Sequence, residues 1–184
     1  MNKKYLRLIS IILTVICTML VLSGCAEGLY TSGLKYRETG GRENVIRGDE
    51  YYYAVCGLGE VQSKDIIVPI MRTGRYVVRI SGEAFEGTDI KSVTLPESML
   101  GIGNRAFKDC TSLRSINIPP QVFYIGEGAF EGCTSLTSVV FEDLDVWYIE
   151  DVETNERTRI DVSNASEIAT KLAGEHATYR LVKE

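Results

Sequence analysis

The chain has 184 residues, with 20 Lys and Arg side chains against 25 Asp and Glu side chains, and its net charge is −5. This length suits one domain with a core of its own. The excess of acid argues against a nucleic-acid partner, because affinity for phosphates depends largely on Lys and Arg. With His176 as the single His, His-based catalysis and metal sites with several His ligands are not expected.

The first 24 residues predict an export signal. A basic segment ends at Arg7, and the uncharged stretch 8–22 that follows is shorter than the roughly 20 apolar residues of a membrane span. The stretch closes in Leu22-Ser-Gly-Cys25, which resembles the lipobox of bacterial lipoproteins. The resemblance implies cleavage after Gly24 and a diacylglyceryl thioether on Cys25, and two acyl chains anchor a protein stably. An uncleaved signal anchor and ordinary secretion with an incidental Cys25 are the alternatives.

A repeat of 22 to 23 residues follows the export signal. Ala84-Phe85, Ala106-Phe107 and Ala129-Phe130 recur at this spacing. Within one unit Ala106, Phe107, Cys110 and Leu113 lie on one face of a short helical stretch, and Ile116 and Ile118 then alternate as in a strand. A single unit cannot bury its apolar side, but stacked units form a continuous core. The sequence therefore predicts a solenoid.

These units resemble the leucine-rich repeats of BspA-like bacterial surface proteins, whose pattern is I-G-x-x-A-F-x-x-C-x-x-L-x-x-I-x-I-P. The resemblance implies an α+β repeat fold, in which a parallel β ladder and short helical or 3-10 segments form a short solenoid with a cap at each end. The predicted boundaries are a signal peptide at 1–24, the lipidated Cys and a linker at 25–32, an N-terminal cap at 33–65, repeats at 66–141 and a C-terminal cap at 142–184.

The caps have their own predicted elements. In the first, strands at Gly33–Tyr36 and Tyr51–Val55 flank a polar loop at 37–50. In the second, Val146–Ile149 and Arg159–Val162 form a hairpin, a short helix capped by Ser163 or Asn164 runs to about Ala173, and the last strand covers Tyr179–Val182. Trp147 is the largest apolar side chain available to close the core.

Three motifs contain residue types that can carry chemistry. Gly101-Ile-Gly-Asn-Arg-Ala106 matches a dinucleotide fingerprint, but the stretch recurs in the next unit, so its glycines belong to the repeat turn. Cys110 and Cys133 hold equivalent positions and are predicted to be reduced and buried. The acidic segment 142–156 lacks the spacing of a calcium loop and is predicted to be a solvated hairpin. No cofactor or metal is predicted, and catalysis is not expected.

Two surfaces are candidates for binding a partner. The first is formed by outward positions of the repeat strands, which are small and mostly polar: Ser92, Thr94, Ser115, Asn117, Ser138 and Val140. The second is a stripe of apolar residues expected to stack outward, Val78, Leu100 and Phe123, with Tyr124 beside it. Exposed apolar surface and aromatic side chains often mark interfaces. The alternative is that a cap or the 37–50 loop covers the stripe.

The resemblance implies a lipid-anchored protein on the outer side of a bacterial membrane, which binds a host or envelope protein. The 25–32 linker is short, since seven residues span at most about 25 Å, and it would hold the domain close to the membrane. A structural envelope component without a soluble ligand is the second interpretation. An enzyme with a carboxylate pocket near the acidic hairpin is the third.

Overall fold

The computed structural model describes residues 30–39, 51–143, 145–175 and 179–184. The export signal, Cys25, most of the 37–50 loop and His176 lie outside the described residues. Within these ranges the chain forms strands and one short α-helix, in this order: β1 Lys35–Thr39, β2 Tyr52–Gly57, β3 Asp65–Ile67, β4 Met71–Arg72, β5 Arg75–Ile80, β6 Ser92–Thr94, β7 Gly101–Ile102, β8 Ser115–Ile118, β9 Tyr124–Ile125, β10 Ser138–Phe141, β11 Trp147–Asp151, β12 Arg157–Ile160, α1 Ala165–Thr170, a π-helical turn Lys171–Glu175 and β13 Tyr179–Lys183.

The strands form two sheets that enclose one core. The larger sheet has the order β1-β2-β5-β7-β9-β13-β11-β12, with β4 paired to β5, and the smaller has the order β10-β8-β6-β3. Each coil of the chain gives one strand to each sheet, in the pairs β2 and β3, β5 and β6, β7 and β8, and β9 and β10. Because β2, β5, β7 and β9 run parallel, as do the four strands of the smaller sheet, the described chain is a β-solenoid of about four turns. The predicted solenoid is confirmed.

In each coil the segment between the strand of the larger sheet and the strand of the smaller sheet forms a third side of the solenoid. This segment differs from the predicted helical stretch. Residues 103–110 form consecutive hydrogen-bonded turns, in which alternate amides bond within the coil and to the next coil. The Ala106 amide donates to Gly103 at 3.3 Å, whereas the Phe107 amide donates to Ala129 at 2.8 Å. Arg105 and Asp109 adopt a left-handed backbone conformation, and alternate amides of this segment then point toward the next coil. A helix would satisfy each amide within its own coil, so the helical prediction for this segment was wrong.

Aromatic and glycine positions set the spacing between coils. The rings of Phe85, Phe107 and Phe130 stack with centroids 5.3 Å apart and interplanar angles of 13° and 8°. A Cβ on Gly103 would lie 2.4 Å from the Gly82 backbone nitrogen. The glycine of the repeat therefore permits a close approach of two backbones.

The chain beyond the last coil continues the larger sheet. Strands β11 and β12 form the predicted hairpin, and β13 pairs antiparallel with both β11 and β9. Asn164 caps α1, since its side chain accepts from the Glu167 amide at 3.3 Å. Trp147 is fully buried and meets Phe141 edge to face, at 4.9 Å between ring centroids. The hairpin, the helix start and the last strand agree with the sequence, and the assignment of both ends as caps stays a prediction.

Candidate functional site

The outward face of the smaller sheet carries two rows of side chains. The register aligns Asp65, Ser92, Ser115 and Ser138 in one row. The second row runs through Ile67, Thr94, Asn117 and Val140. Between the rows Val93, Ile116 and Val139 point into the core and are at most 5% exposed.

This face is nearly flat, and it carries both polar and apolar side chains. Ser115, Thr94 and Asn117 are exposed, and Ile67 and Val140 expose 42% and 39% of their surface. Ser92 and Ser138 are half-buried, and the Ser92 hydroxyl donates to Asp65 at 2.6 Å. All six predicted residues of this face lie together, and the sequence missed its first-coil members, Asp65 and Ile67.

The predicted apolar stripe is only partly exposed. Backbone hydrogen bonds place its three positions one above another in adjacent coils. The Leu100 amide donates to the Val78 carbonyl at 2.7 Å, and the Phe123 amide donates to the Leu100 carbonyl at 3.1 Å. However, Val78 is buried, Leu100 is half-buried, and Phe123 alone is 43% exposed. The pairing of β5 with β2 shifts register between Val77 and Arg79, and Val77 and Ile80 both belong to the core cluster whereas Val78 does not. Val78 is 6% exposed, so the expectation that it contributes exposed apolar surface to the stripe is not met.

A groove lies on the larger sheet beside Phe123 and Tyr124. It encloses about 440 Å³, and Arg37, Arg79, Gly101 and Tyr124 are among the residues that line it. Arg79, Gly101 and Tyr124 lie opposite one another on three adjacent strands. Their neighbours Ile80, Ile102 and Ile125 point into the core, so by alternation this row faces outward.

Tyr124 lies on one side of this groove and is oriented by a hydrogen bond. Its hydroxyl donates to the Asn104 side chain at 2.9 Å. Partial burial of the ring raises the pKa of Tyr124, and the nearby Arg180 opposes this effect. The phenol therefore stays neutral at physiological pH and presents an aromatic wall with a polar tip.

The two repeat cysteines are buried hydrogen-bond donors. Cys110 Sγ donates to the Phe85 carbonyl at 2.9 Å, and Cys133 Sγ donates to the Phe107 carbonyl at 3.0 Å. Burial raises the pKa of the Cys110 thiol and raises the pKa of Cys133 to about 12. Thiols in this state are poor nucleophiles. The predicted burial is confirmed, and both thiols are free.

The acidic hairpin has one buried carboxylate. Glu150 is 2% exposed, and its carboxylate accepts from Arg180 Nε at 2.8 Å and from Arg157 Nε at 2.7 Å. These hydrogen bonds, with Arg180 first and Arg157 second, lower the pKa of Glu150. This carboxylate is ionised and hydrogen-bonded to two guanidinium groups. It therefore stabilises the packing of β11, β12 and β13 and is not suited to acid catalysis.

No group of three or more His, Cys, Asp or Glu side chains in the described ranges is arranged to hold a metal ion. Among the helices that the structure describes, none is long and apolar enough to cross a membrane.

The coil pattern and its sequence signature correspond to a known family. The family model described as "BspA type Leucine rich repeat region (6 copies)" matches residues 72–166, which is just over half of the chain. The chain belongs to the BspA-type leucine-rich-repeat family. No curated protein matches it.

Solved bacterial structures are similar to this BspA-type chain over part of its length. A leucine-rich repeat protein from Bacteroides capillosus is 25% identical, with coverage of 50% of this chain and 88% of that protein and a TM-score of 0.44. A leucine rich cell surface protein from Faecalibacterium prausnitzii is 26% identical, with coverage of 61% and 31% and a TM-score of 0.47. A leucine-rich repeat protein from Bacteroides ovatus is 28% identical, with coverage of 58% and 28% and a TM-score of 0.47. The BspA-type chain thus spans about a third or less of the last two proteins.

The sequence analysis did not select most of the residues that line the groove, and Arg37, Arg79 and Gly101 are among those it missed. A signal for two of them was present, because Arg79 and Gly101 occupy the same repeat position as Tyr124. Arg37 could not have been found this way, since it comes from β1, which lies outside the repeat register.

Proposed function

We propose that this chain is a bacterial surface lipoprotein, anchored through Cys25, that binds a protein partner and catalyses no reaction. Membership of the BspA-type family supports a protein-binding role at the bacterial cell surface. The lipobox-like end of the export signal supports the anchor. The linker would hold the domain within about 25 Å of the membrane.

The observation that carries the binding proposal is the outward face of the smaller sheet. Four parallel strands hold its two side-chain rows at a spacing of about 4.8 Å, and the strands restrict side-chain motion because they are packed on the core. A rigid face loses little conformational entropy when a partner binds. Its exposed Ile67 and Val140 supply apolar area at the two ends of one row, and Thr94 and Asn117 between them supply hydrogen-bond groups.

The binding proposal is tested by changing the centre of this face. In the double variant Ser115→Glu and Asn117→Glu, two charges replace exposed neutral side chains. The control variant, Thr158→Glu and Ser166→Glu, adds the same charge at exposed positions of β12 and α1. Each full-length protein is immobilised and exposed to host matrix proteins and to bacterial envelope proteins. A partner retained by the wild type and the control, and lost by the face variant, would support the proposal. If no protein is retained specifically, the structural-envelope interpretation takes its place.

The anchor is tested separately. Cells that express the chain with labelled fatty acid should incorporate label, and a Cys25→Ala variant should lose both the label and membrane retention. A Cys25→Ala protein that stays membrane-bound when the wild type carries no label would contradict lipidation.

A further inference from the structure

We infer that the groove on the larger sheet binds an acidic saccharide, with its carboxylate on Arg79 and its sugar ring against Tyr124. This site is separate from the face proposed for the protein partner, and it does not depend on that proposal.

The first argument is the shape of the groove. Gly101 lies between Arg79 and Tyr124 in one register row. Strands two apart are about 9.6 Å from one another, so the missing side chain at Gly101 leaves a slot with a guanidinium on one side and a phenol ring on the other. The groove volume of about 440 Å³ falls in the range of small-ligand sites.

The second argument is charge. Arg79 is half-buried, and neither it nor Arg37 forms an ion pair with any carboxylate that the structure describes. Four of the described arginines form ion pairs, such as Arg75 with Glu38 at 2.9 Å, and others, such as Arg114, form none with a described carboxylate. Among the described residues that line the groove, none is acidic. A guanidinium fork matches a carboxylate in two parallel hydrogen bonds, so the groove is complementary to an anion.

The third argument favours a sugar over an extended peptide. A peptide strand binds most readily to an unpaired strand edge, but β7 is paired on one side with β5 and on the other with β9. The slot therefore offers side chains and an aromatic wall, with few free backbone groups. A pyranose ring can place its apolar C–H face on Tyr124 and direct its carboxylate to Arg79.

The experiment titrates the full chain in detergent with digalacturonic acid, with neutral galactobiose and with triglutamate. Arg79→Gln removes the guanidinium, and Gly101→Val fills the slot. A Cβ at position 101 would make only ordinary contacts, with the Tyr124 carbonyl oxygen nearest at 3.4 Å, and the melting temperature of Gly101→Val is compared with that of the wild type to show that the larger side chain leaves the fold intact. Arg114→Gln is the matched control, because it removes one positive charge at an exposed site outside the groove.

The expected result is saturable binding of digalacturonic acid to the wild type and to Arg114→Gln, with at least about tenfold weaker binding by Arg79→Gln and Gly101→Val. Galactobiose should not saturate at the same concentrations. Unchanged affinity in Arg79→Gln, while the wild-type melting temperature is retained, would overturn the proposal. Tighter binding of triglutamate than of digalacturonic acid would overturn it in favour of an acidic peptide. Absence of wild-type binding at about 20 mM, a concentration at which even millimolar affinity is measurable, would also overturn it.

Discussion

Replacement of Gly103 by Ala should destabilise the solenoid far more than the same change at Gly101. At Gly103 the added Cβ would lie 2.4 Å from the Gly82 nitrogen and 2.7 Å from the Ser81 carbonyl carbon. Both contacts are with backbone, which cannot rotate away as a side chain would. The two coils must therefore separate locally.

The magnitude follows from what this separation disturbs. Overpacking of a close contact costs about 1–3 kcal/mol. The shift also strains the inter-coil hydrogen bonds from the Gly103 amide to Ile80 and from the Glu83 amide to Asn104, both 2.9 Å long, and each contributes about 1 kcal/mol. The expected loss is about 3–5 kcal/mol, or roughly 10 °C in melting temperature for a chain of this size.

Gly101→Ala is the matched control, two residues away in the same chain segment. Its Cβ meets only ordinary contacts, with the Tyr124 carbonyl oxygen nearest at 3.4 Å. A Gly to Ala change at a compatible position stabilises by about 0.4–1 kcal/mol through the unfolded state. Urea denaturation followed by circular dichroism measures both variants. If their unfolding free energies differ by less than about 1 kcal/mol, the close approach of the coils is not what requires glycine here.

Three further predictions concern the core and the hairpin. Phe107→Ala removes the middle ring of the aromatic stack and should cost about 3–5 kcal/mol in urea denaturation; a loss below about 1 kcal/mol would contradict the stack. In the native protein at pH 8, iodoacetamide should label the exposed Cys56 and spare Cys110 and Cys133 until denaturant is added, as read by peptide mass spectrometry. The folded-state pKa of Glu150 lies below the ordinary 4.5, so its stabilisation is present above this pH and is lost as the pH falls through the folded-state pKa. The melting-temperature gap between wild type and Glu150→Gln should therefore narrow below about pH 4.5, and a constant gap would refute the assignment.

The sequence alone determined the solenoid because each coil is a local unit. Burial within one repeat is indicated by the recurring apolar positions Ala106-Phe107, Cys110 and Leu113. The strand of the repeat is indicated by the alternation of Ile116 and Ile118. Neither signal requires knowledge of a distant partner. The hairpin and a helix cap at Ser163 or Asn164 were readable for the same reason, since turn and capping residues act within a few positions of the chain, and the structure selects Asn164.

Tertiary structure decided the features that depend on neighbouring coils. The spacing i, i+1, i+4, i+7 suits a helix, yet left-handed backbone at Arg105 and Asp109 sends alternate amides to the adjacent coil. These non-glycine residues give no sequence sign of that conformation. Val78 is buried next to a register shift between β5 and β2, which the repeat pattern does not record. The groove exists because the sheet register sets Gly101 between an arginine and a tyrosine, each a repeat away. A repeat pattern records which side chains are buried, whereas the register between coils decides which exposed side chains meet.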